Sequence, residues 1–328
     1  MYNNDLKQRF ITEEQQNGRY MFGFIAFFRH CEAFEVELDA DIYTFNAEQL
    51  TRVLNGRTNT RKSGLVTDIS LVRRYVKWCL ANGIEGVSDA SLSLTTKEVD
   101  NMRKCTVKSP EDLNDYLEKV FAPVYQNTSD DVLRGFLWLA FSGVMEEDAV
   151  CLTTDCVDFD SMLIRYNGQE YPIYKQSIGA LSNCVHNTRF AFHHPNYVST
   201  AYRQRSDSNY LLRKTLKGGD DPDVDKRIGI LSSDCARKSA QARKNGLIDR
   251  KITYGRTRLS GIFYRVYMHE LKGFTYDFME LVEEDFKRME AEGRTYNLSS
   301  GRNTMDAKKR QLARQYEDDY TRWKLTLD

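Results

Sequence analysis

The stretch FSGVMEEDAVCL, residues 141–152, closes an apolar run and opens an acidic one, and its meaning turns on the uncharged thioether at Met145. The apolar run from Gly135 to Met145 is too short to cross a bilayer, which takes about 20 residues. It belongs to a helix predicted near 129–142. What the stretch does depends on the elements around it.

Downstream, MLIRY and QEYPIY flank Asn167-Gly168, a strong local hairpin signal. RFAFHHPNY reads as strand or turn. Helices are expected from about 207 to the C-terminus, with an acid-rich GGDDPDVDK loop among them.

Upstream, residues from about 4 to 90 read as helix throughout. GRYMFGFIAFFRHCEAF is a dense apolar helix, and SGLVTDISLVRRYVKWCLANG is amphipathic, with Ile69, Val72, Val76, Cys79 and Leu80 at helical spacing. That spacing leaves Arg73, Arg74 and Lys77 on the flanks and outer face, and Asn82-Gly83 stops the helix. The pattern loosens between 84 and 108 and resumes at SPEDL, where Ser109 caps, Pro110 suits the first helical position and Asp112 completes a capping box. The expectation is a mostly α protein with a small antiparallel sheet (α+β): a helical domain over 1–95 and a mixed domain over 96–328.

With 328 residues, 41% hydrophobic and only 5 prolines, the chain is long enough to bury a core in each of two domains. MYNNDLKQRFITEE lacks the basic patch and apolar core of a secretory signal. A soluble, cytoplasmic protein without membrane association is expected. Seven cysteines, several inside apolar helical patterns, suit reduced buried thiols better than disulfides. Cys151 and Cys156 have no second pair and no nearby histidine, so no metal and no cofactor are expected.

The net charge of zero hides segregation. Between Thr51 and Lys77 stand Arg52, Arg57, Arg61, Lys62, Arg73, Arg74 and Lys77 against Asp68 alone. Between Arg237 and Arg258 stand Arg237, Lys238, Arg243, Lys244, Arg250, Lys251, Arg256 and Arg258 against Asp249 alone. Two distant basic segments suggest two lobes gripping one polyanion, double-stranded DNA. The plain alternative is a pair of solvated helix faces.

Against that frame FSGVMEEDAVCL resembles the tyrosine recombinase (phage integrase) family, which carries Thr-Gly-Leu-Arg-x-x-Glu-x-x-x-Leu at a helix start. The equivalents here are Ser142, Gly143, Val144, Met145, Asp148 and Leu152, so Met145 stands where the family has its first catalytic arginine. KITYGRTRLSGIFYRV (251–266) resembles the later His-x-x-Arg box, with Gly255 at the histidine position and Arg258 at the second arginine. The resemblance covers nearly the whole chain and implies a helical core-binding domain (SAM-like) ahead of a catalytic-fold domain.

In that family a tyrosine hydroxyl attacks a DNA phosphodiester while two arginines clamp its non-bridging oxygens, and a histidine and a lysine assist proton transfer. Methionine supplies neither charge nor bidentate hydrogen bonds. The hairpin YNGQEYP has no lysine; Lys175 lies just beyond it. One such preorganised donor is worth about 2.7–4 kcal/mol of transition-state stabilisation, and here two or three are missing together.

The nucleophile candidates are Tyr296, Tyr316 and Tyr320, the last two spaced i, i+4 on one face of a terminal helix. The histidines do not restore the chemistry: His193 and His194 read as structural or surface residues, and for His269, eleven residues after Arg258, a displaced place in the site is only the lesser alternative. Arg258 reads as a ground-state phosphate contact, or alternatively as half of a structural ion pair. The terminal helix, with Leu312, Tyr316, Tyr320 and Trp323 on one stripe, can exchange between protomers or fold back on its own domain.

The leading expectation is a DNA-binding protein of integrase-like fold that has lost strand transfer, a regulator or repressor or an architectural clamp of phage or mobile-element origin. The second is an active but divergent recombinase that borrows a basic group such as Lys175 or Arg256. The third is a scaffold that does not touch DNA.

Overall fold

The computed structural model describes the chain except residues 19–21, 58–61, 96–105, 122–129, 193–200, 214–221, 292–304 and 328. It divides into two compact units, Met1–Arg103 and Lys104–Asp328. This division and the expected one at 95/96 both fall in or at the edge of 96–105, outside the described residues.

The first unit is helical: α1 (Asn4–Gln16), α2 (Phe22–Leu38), α3 (Ala47–Gly56), α4 (Lys62–Ala81) and the short α5 (Ala90–Ser93). Asn46 and Gln49 form a reciprocal capping box at the start of α3, satisfying two otherwise unpaired amides. Gly83, at φ +67°, ends α4 with the left-handed residue that such a stop favours. The α4 stripe Leu65, Ile69, Val72, Val76 and Cys79 is buried, but Leu80 is 48% exposed, correcting its place in the predicted stripe. Phe10 packs against Phe24 and Tyr75 at ring separations of 4.8 and 5.1 Å.

The second unit opens with α6 (Pro110–Val120), α7 (Asp130–Ser142) and α8 (Glu146–Cys151). A three-stranded antiparallel sheet follows, β1 (Val157–Asp158), β2 (Leu163–Tyr166) and β3 (Gln169–Pro172), then α9 (Ile178–His186). The Ser109 side chain accepts from the Asp112 amide, while the Asp112 carboxylate accepts from Lys108 N instead of closing the box on Ser109. Asn167 and Gly168 both have positive φ, as a tight two-residue hairpin between β2 and β3 demands.

Beyond α9 lie a second hairpin, β4 (Arg189–Phe192) with β5 (Ala201–Gln204), and four helices: α10 (Val224–Lys244), α11 (Tyr254–Glu270), α12 (Phe278–Ala291) and α13 (Met305–Lys324). The helix expected from about 207 begins only at Val224. Residues 209–211 are drawn instead into extended pairing, with Asn209 O accepting from Thr154 N and Leu211 N donating to Leu152 O.

Helix α7 is the centre of this unit, and every side chain from Phe136 to Ser142 is buried. It crosses α11 so closely that a Cβ on Gly261 would lie 1.8 Å from the Phe141 carbonyl oxygen. Only glycine fits there. Helix α13 folds back on the same unit: Trp323 is fully buried and its indole N–H donates to Val107 O.

Candidate functional site

The stretch that opened the sequence analysis lies at the end of α7. Gly143 N donates to Ala140 O and Val144 N to Leu139 O, and Gly143 itself sits at φ +103°, the left-handed conformation that glycine tolerates. Met145 then caps α8 without a side-chain hydrogen bond. This turn places the Gly143 carbonyl where Arg258 Nε, from α11, reaches it at 2.9 Å.

A cavity of about 250 Å³ opens beside this contact. Ser142 and Gly143 form one wall and Tyr171 of β3 another, while α11 contributes Arg258, Arg265 and His269 and α12 contributes Asp285 and Arg288. The positions 258, 262, 265 and 269 form one stripe of α11 at helical spacing.

Two of the three arginines that line this cavity, Arg258 and Arg265, are hydrogen-bonded within the protein. Arg258 Nη2 donates to Asp285 Oδ1 at 2.8 Å, and the two side chains are 12% and 11% exposed. Burial works to lower the Arg258 pKa, but the charge and hydrogen bond of Asp285 outweigh it and carry it upward. Arg265 Nη1 donates to Phe141 O and approaches the Tyr174 hydroxyl. Arg288 Nη1 lies 3.8 Å from Asp148 Oδ2, the family's acidic position, too far for a hydrogen bond. Arg258 is therefore half of a protected ion pair, the alternative weighed for it from sequence.

Met145 is not among the residues lining the cavity. Gly255, in the first turn of α11, has open space where a Cβ would stand, so no crowding explains the missing imidazole. Lys175 is exposed on a 3₁₀ turn and does not line the cavity. His269 does, from an exposed position. His193 and His194 lie outside the described residues.

Of the tyrosines, Tyr296 also lies outside the described residues. Tyr320 is 4% exposed, packs beside Phe263 and Phe278 and donates its hydroxyl to Glu270 at 2.6 Å. Burial first, and then Glu270, raise its pKa, which opposes formation of a phenolate nucleophile. Tyr316 is half-buried on α13.

The two basic segments are largely spent within the protein. In the first unit Arg57 pairs with Asp68 at 2.8 Å, Arg74 pairs with Glu14, and Arg73 donates to the carbonyls of Ser91 and Leu94. Lys77 stays exposed, while Arg61 and the Lys62 side chain lie outside the described residues. In the second unit Lys238 pairs with Asp130, Arg250 forks onto Asp112, and Arg256 lies 3.7 Å from Asp319. Arg237 is 69% exposed beside Asp234, and Arg243 and Lys244 are exposed in the last turn of α10. Arg57, Arg73, Arg74, Lys238, Arg256 and Arg258, read from the sequence as DNA contacts, thus each have carboxylate or carbonyl neighbours within the protein.

Sequence reasoning missed Asp285, Arg265 and Arg288. The signal for Asp285 was present in ELVEEDF (280–286), whose acids balance the basic box. Among the described residues no cluster of side chains could hold a metal ion, and no helix is long and apolar enough to cross a membrane.

Residues 1–81 match the family model described as the MrpR N-terminal core-binding domain. Among solved structures, the chain is similar to XerA recombinase, with 12% identity over 79% of this chain and 82% of that one and a TM-score of 0.34. It is also similar to the Tn1549 transposon integrase in complex with circular intermediate DNA, with 12% identity over 94% and 98% and a TM-score of 0.29. No curated protein matches. The segment that matches the core-binding-domain model lies in the helical first unit, and a mostly helical second unit with small antiparallel sheets follows it, a two-unit α+β layout.

Proposed function

We propose that this chain is a cytoplasmic double-stranded-DNA-binding protein of tyrosine-recombinase-like build that does not transfer strands. It acts as a sequence-specific regulator or repressor, or as an architectural clamp, of a phage or mobile element. The observation that carries the loss of chemistry is the Arg258–Asp285 pair. The one family arginine that remains already has a carboxylate where a phosphate would sit, Met145 offers no second guanidinium, and Gly255 offers no imidazole. A transition state with extra negative charge then lacks the paired arginines and imidazole that would stabilise it at these positions.

The match of residues 1–81 to a core-binding domain supports the DNA-binding half of the reading. Exposed Lys77, Arg237, Arg243 and Lys244 remain available to phosphates. Phosphate contacts of this kind give affinity that falls steeply with salt.

The test is retention of DNA fragments before and after a denaturing detergent. Retention that vanishes on denaturation supports the reading, and retention that survives reports a covalent tyrosyl–DNA bond and overturns it. A second reading is a slow divergent recombinase with Tyr316, half-buried on α13, as its nucleophile. Under that reading Tyr316→Phe abolishes the detergent-resistant fraction and leaves binding intact.

A further inference from the structure

The β4–β5 hairpin concentrates guanidiniums on a short ribbon. Its described residues, RFAF and AYRQ with Arg205 directly after, carry three arginines and no acid. The nearest carboxylate along the chain is Asp207, in the turn beyond the second strand, and in space the Asp131 carboxylate acts on Arg205.

The antiparallel register sorts these side chains. Arg189 stands opposite Gln204, Ala191 opposite Tyr202 and Phe190 opposite Arg203. Cross-strand partners share a face and alternate along each strand, so Arg189, Gln204 and Tyr202 stand together on one face. All three are exposed, Tyr202 by 63%, and the Arg189 guanidinium lies 5.6 Å from the Tyr202 ring centre. That contact holds the guanidinium over the ribbon without neutralising it.

The other face anchors the ribbon. Phe190 is 2% exposed and lies under the Arg205 guanidinium at 4.5 Å. Arg205 is itself 2% exposed and donates Nη1 to Cys184 O, at the end of α9. Its Nε and Nη2 have no hydrogen-bond partner among the described residues. Arg213 donates to the carbonyls of Cys184, Val185 and Asn187 at the same helix end. The hairpin is thus fixed to α9 by two guanidiniums and offers a narrow, cationic outer face.

We propose that this outer face enters a groove of duplex DNA, with Arg189 and Gln204 contacting base edges and Tyr202 packing against the sugar–phosphate wall. The major groove admits a two-stranded ribbon, and arginine and glutamine are the side chains whose forked donors and acceptors match guanine and adenine there. The inference rests on the DNA-binding reading above.

The experiment selects random-sequence duplex DNA on the full-length chain, then compares Arg189→Ala, Gln204→Ala and the double variant on the selected sequence and on an unselected duplex. These exposed positions should leave the thermal melt unchanged. Each single variant is expected to lose about 5- to 150-fold in affinity for the selected duplex, the weight of one bidentate base contact. Loss on the unselected duplex should be much smaller.

If the unsubstituted chain retains no duplex at any salt, the DNA-binding reading fails and this inference with it. If it selects a sequence that the double variant binds equally well, the ribbon inference alone is overturned. Equal loss on selected and unselected duplex overturns base reading by these side chains, as does loss confined to single-stranded nucleic acid.

Discussion

In the first unit one buried ammonium, Lys7, faces two buried carboxylates, Glu35 at 2.6 Å and Asp41 at 3.5 Å; in the second, Arg258 faces a single carboxylate, Asp285. The first cluster carries one negative charge too many. The Ile42 amide donates to Glu35 and the Tyr75 hydroxyl to Asp41, while Lys7 also donates to Tyr2 O, and Glu35 Oε2 is buried with no hydrogen-bond partner among the described residues. The second cluster balances and opens on a cavity. Imbalance sits in the core of the first unit and balance beside the cavity of the second, where Asp285 makes Arg258 half of a structural contact.

The sharpest way to break the comparison is Lys7→Met. It strands two carboxylates at 0% and 4% exposure, and removing one partner of a buried pair costs about 3–5 kcal/mol. Hydrogen exchange resolved by unit should show the first unit losing protection while the second keeps it. Asp285→Ala comes next. It leaves the Arg258 guanidinium with Gly143 O and without a carboxylate, at about 1–3 kcal/mol for a charged donor left short of a partner. Chemical denaturation monitored in the second unit measures that loss. If Asp285 also blocks phosphate, the same variant gains DNA affinity at low salt as it loses stability.

How much of this was legible in the sequence follows from how local each signal is. The Asn167-Gly168 hairpin, the Ser109 cap and the Gly83 stop depend on a few adjacent residues, and all three stand as read. The α4 charges misled because helical spacing tells which way a side chain leaves the helix, not what waits there. Arg73 meets the carbonyls of Ser91 and Leu94, and Arg74 meets Glu14, sixty residues earlier. The same holds for Arg258, whose partner comes from the next helix along. A positional match to a family names the residue and cannot name its counter-ion.

The pH dependence of the first cluster sharpens the contrast. Burial raises the Glu35 pKa above its ordinary 4.5, against the pull of the Lys7 hydrogen bond, and burial likewise raises Asp41. Among the described residues, Lys7, Tyr75, Asn3, Tyr2, Tyr43, Cys31 and Cys79 act on or beside Glu35 and Asp41, and of these Lys7 brings the positive charge. An acid whose folded pKa lies above its unfolded one contributes stability that is complete below the unfolded value and is lost as pH rises through the folded value. The first unit should thus gain from Glu35 and Asp41 as pH falls from neutral toward 4.5. Glu35→Gln removes the surplus charge, so its melting temperature at pH 7 should equal or exceed that of the unsubstituted chain, with a flatter pH profile. A variant that is less stable at pH 7 and equally pH-dependent would mean that Glu35 is ionised and fully repaid by Lys7.

The smallest stability change tests the pocket. Gly255→His restores the family's imidazole at a position where a Cβ meets nothing within 4 Å, so stability should stay within about 0.5 kcal/mol, as for an exposed substitution away from special features. Gly255→His combined with Met145→Arg restores two of the missing groups in name. It should still give no detergent-resistant DNA complex, because Asp285 continues to occupy Arg258. Adding Asp285→Ala to the pair is the step that frees the guanidinium. A covalent complex appearing in the triple variant and absent from the double would assign the silence of this pocket to its carboxylate. One appearing already in the double would assign it to the two lost side chains alone.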